Sequence, residues 1–263
     1  MKFSAIFEMV QTMQIGLKFG FPAVLRAIFR SPSLLFNWAA LSRVSMANIW
    51  VPFGAGSDQD RREEKQKLIT PHAHGVVLDL GAGHGHTVNY LDRTVVTKYV
   101  ALEPNTFMHP RIREMAAEVG FNESDETLLI LSCGAEDTAS ILSSVHAPVD
   151  TIVSVLTLCT VPFPHQTIRA LVFDILAPGG TLLFLEHVRN DRADAAWWQT
   201  ALTPMWKRVF DGCCLDRPTD IWLKDLKDDD GQTPWNEGNI WDPKDRNDQE
   251  TLFWVEVGQF VKK

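Results

Sequence analysis

Asp79, Gly81, Gly83 and Gly85 stand at alternate positions in the stretch LDLGAGHGH, Leu78 to His86. After an apolar run, glycines at this spacing let backbone N–H groups approach a ligand at the C-terminal edge of a strand, where open α/β sheets bind nucleotide-like molecules. A dinucleotide loop needs glycine at its sixth position, and His86 stands there instead. The Gly-Lys-Ser/Thr ending of a phosphate loop is missing too. Asp79, two residues before the first glycine, would repel a pyrophosphate but suits an ammonium group, directly or through water.

S-adenosylmethionine carries an ammonium and a sulfonium and no phosphate, so Asp79, Gly81, Ala82, Gly83 and Gly85 are expected to bind it. Glu103, 18 residues beyond Gly85 and followed by Pro104, can accept hydrogen bonds from both ribose hydroxyls. The segment SCGAED brings Ala135, Glu136 and Asp137 toward the adenine edge. SVLTLCTV places Ser154, Leu156 and Thr157 near the methionine part and the transferable methyl. Glu186 and His187 end a further apolar run, on the edge where an acceptor should lie. His187 is the candidate base, with Asp211 as a second polar group; the alternative is a histidine that fixes the following loop. His84 and His86 are expected to cover the cofactor. Cys213 and Cys214 read as packing residues, and no His/Cys/Asp spacing matches a metal site, so metal-independent catalysis is expected.

Those residues need a sheet to hold them. Short β-rich runs near 76–80, 98–102, 127–131, 149–154 and 180–186 alternate with helical segments, the pattern of a doubly wound parallel sheet. The glycine turn should open a helix running to Leu91, and the turn Ala177–Gly180 should launch the fifth strand. Further on, DAAWWQTALTPMWKRVF predicts a helix interrupted at Pro204, the stretch from Asp228 to Glu250 a long polar loop, and TLFWVEVGQFVKK a closing strand. Seven of the nine tryptophans follow residue 196, and Trp197, Trp198 and Trp206 could wall an apolar acceptor pocket or simply pack.

Ahead of this body, Phe3, Phe7, Val10 and Leu17 recur at helical spacing, while Pro22 and Pro32 divide the segment into short helices. GAGSDQDRREEKQKL then reads as a polar loop entering a charged helix. The division expected is a cap over residues 1–57 and a catalytic domain over 58–263. No uncharged apolar run reaches ~18 residues. The cap either closes the pocket of its own domain or, through residues 1–49, lies on a membrane surface.

The net charge of −8 is uneven: residues 1–49 hold Lys2, Lys18, Arg26, Arg30 and Arg43 against Glu8, leaving an acidic body. Such a body argues against a nucleic-acid substrate. The four cysteines form no disulfide framework, which points to a reducing, cytoplasmic setting.

Together VVLDLGAGHG, ALEP, GAED, SVLTLCTV and LAPGGTLLFLEHV resemble class I S-adenosylmethionine-dependent methyltransferases over residues 76–188. LFLEHV, the Trp-rich helix and FDGCCLDR are similar to the methyltransferase-like 7 group of alkyl thiol methyltransferases. The resemblance implies a Rossmann-like α/β fold: a seven-stranded, mostly parallel sheet with helices on both faces, here with an N-terminal helical cap. It also implies S-adenosylmethionine as cofactor and a small apolar acceptor methylated at S or O, a thiol or a secondary-metabolite hydroxyl. Two rival functions are a non-methylating reaction on the same fold, pericyclic or eliminative, and a membrane-surface adaptor.

Overall fold

Val77, Leu78 and Leu80 are buried on both sides of strand β1 (Gly75–Leu80), as a central parallel strand requires. In the computed structural model, which describes residues 3–243 and 250–263, β1 lies between β2 (Val96–Leu102) and β4 (Val149–Val155). Strand β3 (Leu128–Leu131) flanks β2, and β5 (Leu176–His187) flanks β4. Two more strands, β6 (Trp235–Trp241) and β7 (Val255–Lys262), complete the order β3-β2-β1-β4-β5-β7-β6. β7 is antiparallel to both of its neighbours. The order reverses between β1 and β4, which opens a crevice at their C-terminal ends.

The helices follow from the sequence with a few corrections. The cap consists of α1 (Phe3–Ile15), a π-helical segment Gly16–Gly20, α2 (Phe21–Arg30) and a 3-10 turn Pro32–Phe36. Pro32 opens the 3-10 turn after a break at Ser31, as expected, whereas Pro22 divides nothing: the backbone stays helical from Phe3 to Arg30, with Ile15, Gly20 and Phe21 all in the right-handed helical region. Val10 and Leu17 are exposed; the side chains of Phe3 and Phe7 lie outside the described residues. α3 (Trp38–Asp60) runs straight through the expected polar loop, with α4 (Arg62–Leu68) behind it. The end of α3 is anchored because buried Asp58 receives Lys65 Nζ at 2.7 Å and the Tyr90 hydroxyl at 2.9 Å. The expected division after residue 57 therefore falls inside a helix.

The remaining helices are α5 (His109–Glu118), α6 (Thr138–Val145), α7 (Pro164–Ala170), α8 (Ala193–Val209) and α9 (Thr219–Lys224). α8 passes through Pro204 unbroken. The long polar loop expected after Asp228 contains β6, whose exposed residues hid its strand character. The Ala177–Gly180 turn belongs to the start of β5, where pairing with β4 skips from Leu176 to Thr181. One hydrophobic cluster on each sheet face holds the body together, and a third joins the cap to α8 through Met9, Ile49, Trp206 and Phe210. A fully buried Leu or Phe in such clusters contributes about 1.5–3 kcal/mol.

Candidate active site

The turn after β1 places Gly81 (φ +60°), Gly83 (φ +56°) and Gly85 (φ +83°) in the left-handed region that glycine enters without strain. Close packing adds a second requirement. A Cβ on Gly83 would stand 2.4 Å from Trp50 Nε1, and one on Gly85 3.2 Å from the Ile112 backbone. The helix expected to follow is only a 3-10 turn, His86–Tyr90, in which the Thr87 hydroxyl donates back to Asp79 at 3.2 Å.

A cavity of about 440 Å³ opens above the loop. Its floor and sides include Gly81, Gly83, Glu103, Pro104, Ala135, Glu136, Leu156 and Asp211, eight of the residues expected at the site. Leu156 adopts φ +55° and Asp211 φ +45°. Asp211 Oδ1 accepts a 2.7 Å hydrogen bond from the Ser42 hydroxyl, which ties the cap to the turn after α8.

Glu103 is the best-organised group on this wall. One carboxylate oxygen accepts from Gly83 N and the other from Asn105 N, both at 2.8 Å. Burial pushes its pKa up to about 7, against the lowering effect of those two amides. Each oxygen keeps a second lone pair, so a ribose diol fits. Three carboxylates, Glu103, Glu136 and Asp211, face a single cation, Arg43. That balance suits a sulfonium and opposes a phosphate.

Six expected residues stand behind the wall. Asp79 is 1% exposed, and its oxygens accept from the Tyr99 hydroxyl at 2.7 Å and the Thr87 hydroxyl, so it braces β1 rather than facing the cavity. Burial pushes its pKa up to about 7, with the Tyr99 and Thr87 hydrogen bonds opposing. Ala82 donates its N–H to Leu102 O, and Gly85 packs on α5. The Ser154 hydroxyl donates to Glu186 Oε1 at 2.7 Å, and Thr157 N and Leu158 N donate to the same oxygen at 2.9 and 3.1 Å. Glu186 therefore shapes the loop after β4 from behind instead of meeting an acceptor. His187 Nε2 lies 3.0 Å from Cys213 Sγ, away from the cavity, which favours its reading as a group that fixes a loop. His84 and His86 do not line the cavity either; burial lowers both, His84 to about 4.

The sequence showed no metal-ligand spacing, yet folding brings Cys159, His187 and Cys213 together, their ligating atoms within 4.8 Å of one another. Of the two readings of Trp206, pocket wall or packing, the second holds: it is stacked on Phe210 at 3.9 Å in the core. The tryptophan at the cavity comes from α3, where Ala39, Arg43, Met46 and Trp50 all line it. Their spacing of four, three and four residues is one helical face, a signal present in the sequence but masked by reading the cap as a separate unit.

Residues 58–221 match the family model described as a methyltransferase domain. The human thiol S-methyltransferase TMT1B is 31% identical over 201 residues, spanning 74% of this chain and 78% of that protein. The human thiol S-methyltransferase TMT1A is 40% identical over a shorter stretch of 70 residues, 26% of this chain and 28% of that one. In fold, an O-methyltransferase family protein from Burkholderia thailandensis superposes with a TM-score of 0.61 at 14% identity, covering 97% of this chain and 70% of that one. With a cavity built around Gly81, Gly83 and Glu103, the chain is an S-adenosylmethionine-dependent methyltransferase and belongs to the methyltransferase-domain family that matches most of its length.

Proposed function

We propose that the protein methylates the sulfur of a small apolar thiol, with its N-terminal helices as both the roof of the pocket and a peripheral lipid contact. The observation that carries the reading is the cavity roof. Met46 and Trp50 from α3 line the cavity together with Val161 and Pro162, an apolar part of its surface beside the polar Thr160 and Asp211. The bound cofactor supplies a methyl activated on sulfonium. The residues of the chain position and exclude: Glu103, itself held by the Gly83 amide, orients the nucleoside, while α3 keeps water away from reactants of opposite charge. Alignment of two reactants in such a site is worth about 7–11 kcal/mol of the barrier. A thiol ionises far more readily than an alcohol and needs little help from a base, which agrees with a lining whose titratable groups are Glu103, Glu136, Asp211 and Arg43. The related human proteins are named for the same acceptor atom. The acidic body favours a small molecule over nucleic acid as acceptor. Isotope-labelled methyl appearing on hydrophobic thiols, and not on matched alcohols, tests the reading.

Two predictions arise at the roof. Gly83→Ala forces a Cβ onto Trp50 and strains φ +56°, and is expected to weaken S-adenosylhomocysteine binding about 10-fold or more by calorimetry. Unchanged affinity would remove Trp50 from the site. On the outer surface Phe21, Phe29, Leu35, Phe36 and Trp38 are exposed, Phe29 by 84% and Phe36 by 94%, beside Lys18, Arg26 and Arg30. No helix among the described residues is long and apolar enough to cross a membrane. A lipid surface carrying negative charge matches both the apolar and the basic groups. The double variant Phe29→Ser, Phe36→Ser should reduce flotation with phosphatidylserine vesicles at least about 10-fold, at ~1.5–3 kcal/mol per phenylalanine. Equal flotation of variant and parent would contradict lipid contact.

A further inference from the structure

The strongest chemistry outside the cavity lies just behind its wall. Cys159 follows β4 in the segment whose Thr160, Val161 and Pro162 line the cavity, and Cys213 follows Asp211 at the end of α8. Their sulfurs are 3.4 Å apart, and Cys214 N donates to Cys159 O at 3.0 Å, which holds the two backbones side by side. His187 Nε2 completes the cluster at 3.0 Å from Cys213 Sγ. A tetrahedral zinc, at about 2.3 Å from each sulfur, would hold them about 3.8 Å apart, wider than is found here. The spacing suits thiols in mutual contact. The two cysteines also differ in the way an attacking and a resolving thiol differ. Cys213 is partly exposed, while Cys159 is 1% exposed. The hydrogen bond shared with Cys159, and then the charge of His187, hold the Cys213 thiol well below its usual range against the opposing effect of burial. The same contact with Cys213 pushes Cys159 up. His187 is raised by Cys213 despite burial, which acts in the other direction.

We propose that Cys213 and Cys159 are a thiol–disulfide exchange site for low-molecular-weight disulfides. The Cys213 thiolate attacks one sulfur of R–S–S–R, forming a Cys213–S–S–R bond and releasing the first RS⁻. Cys159 sulfur then attacks Cys213 sulfur, a Cys159–Cys213 disulfide forms and the second RS⁻ leaves. The cysteine pair loses two electrons, and the substrate disulfide gains them. The proton held by His187 and the proton from Cys159 pass to the two released thiolates. Exchange of this kind is governed by the thiolate fraction of the attacking sulfur and by access, and Cys213 has the lowered thiol pKa and is the less buried of the two cysteines. The released thiols belong to the acceptor class of the cavity a few residues away; that link rests on the function proposed above, whereas the exchange does not.

The test uses the full chain, reduced and freed of reductant, with 2-hydroxyethyl disulfide and no methyl donor. The expected result is two thiols released per chain, loss of two hydrogens from the intact mass and a Cys159–Cys213 linkage in the peptide map. Cys159→Ser should stop halfway, with one thiol released and a mercaptoethanol adduct on Cys213, and Cys213→Ser should slow release at least about 10-fold. If the native protein keeps Cys159 and Cys213 reduced, or carries an adduct at Cys133 alone, the proposal is overturned. That readout needs no variant to fold. Methyl transfer to free 2-mercaptoethanol or a more apolar thiol is measured separately, so its failure removes the acceptor reading and leaves the exchange result standing.

Discussion

Glu103→Ala is expected to weaken S-adenosylhomocysteine binding by about 100- to 10,000-fold, because two hydrogen bonds to a charged acceptor, at about 1.5–3 kcal/mol each, are lost together. The loss extends to the loop itself, since Gly83 N and Asn105 N would be left without their carboxylate. Glu103→Gln keeps one acceptor oxygen and should fall between parent and Ala. The same group sets a pH dependence. With its pKa pushed up to about 7, Glu103 in the free protein is partly protonated near neutrality, and a diol bonds best to the ionised form. Affinity should therefore rise between pH 6 and 8, with proton release on binding visible as a buffer-dependent heat. For the free fold the sign is opposite. Asp79 and Glu103, both raised to about 7, bind protons in the folded chain that the unfolded chain has already released above pH ~4. As far as these groups contribute, stability should thus be greatest at and below about pH 4 and decline steadily toward pH 7, by on the order of 4 kcal/mol for each. Asp79→Asn should flatten that slope in denaturant titrations; an unchanged slope would contradict the assignment.

Glu186→Ala should be the most damaging change to the fold. One buried oxygen serves Ser154 Oγ, Thr157 N and Leu158 N, and the residue is 0% exposed. Its removal strands three buried donors, each at about 1–3 kcal/mol, and opens a void between β4 and β5. A loss of at least about 3 kcal/mol is expected, or about 6 °C or more in Tm for a chain of this size. Glu186→Gln retains the accepting oxygen, and its amide would occupy the place of Oε2, which has no partner. That variant should lose less than half as much. Because Leu156 and Thr157 line the cavity, the Ala variant should also bind cofactor more weakly, whereas a surface change of equal stability cost should not. A Tm within about 1 °C of the parent would show that the loop does not depend on Glu186.

The parallel core was legible because its strands are apolar on both faces, so VVLDL and DTIVSV announce themselves without tertiary information. β6 was not, since an edge strand with exposed Asn236, Glu237 and Asn239 carries the composition of a loop. Glu103 and the glycines could be read from spacing because strand ends and turns fix their positions within a few residues. Asp79, Glu186 and His187 were located correctly along the strands but not in direction. A residue at a strand end can face ligand or core, and only the partners found in three dimensions, Tyr99, Ser154 and Cys213, decide which. The cysteine cluster was invisible for the same reason, its members being drawn from residues 159, 187 and 213. The roof residues of α3 were visible as a helical face, yet a run of Gly, Ser and Asp in its last turns concealed that the helix continues to Asp60.

The most direct test of the account is transfer of isotope-labelled methyl from S-adenosylmethionine to a matched panel of an apolar thiol, its alcohol analogue and a phenol, using the native chain beside Glu103→Ala. The account predicts labelled thioether from the thiol, little or no label on the alcohol, and loss of the signal in the variant. Label on the alcohol or phenol in preference to the thiol would contradict sulfur as the acceptor atom. Cofactor bound with no label transferred to any of the three would contradict the proposed acceptor class altogether.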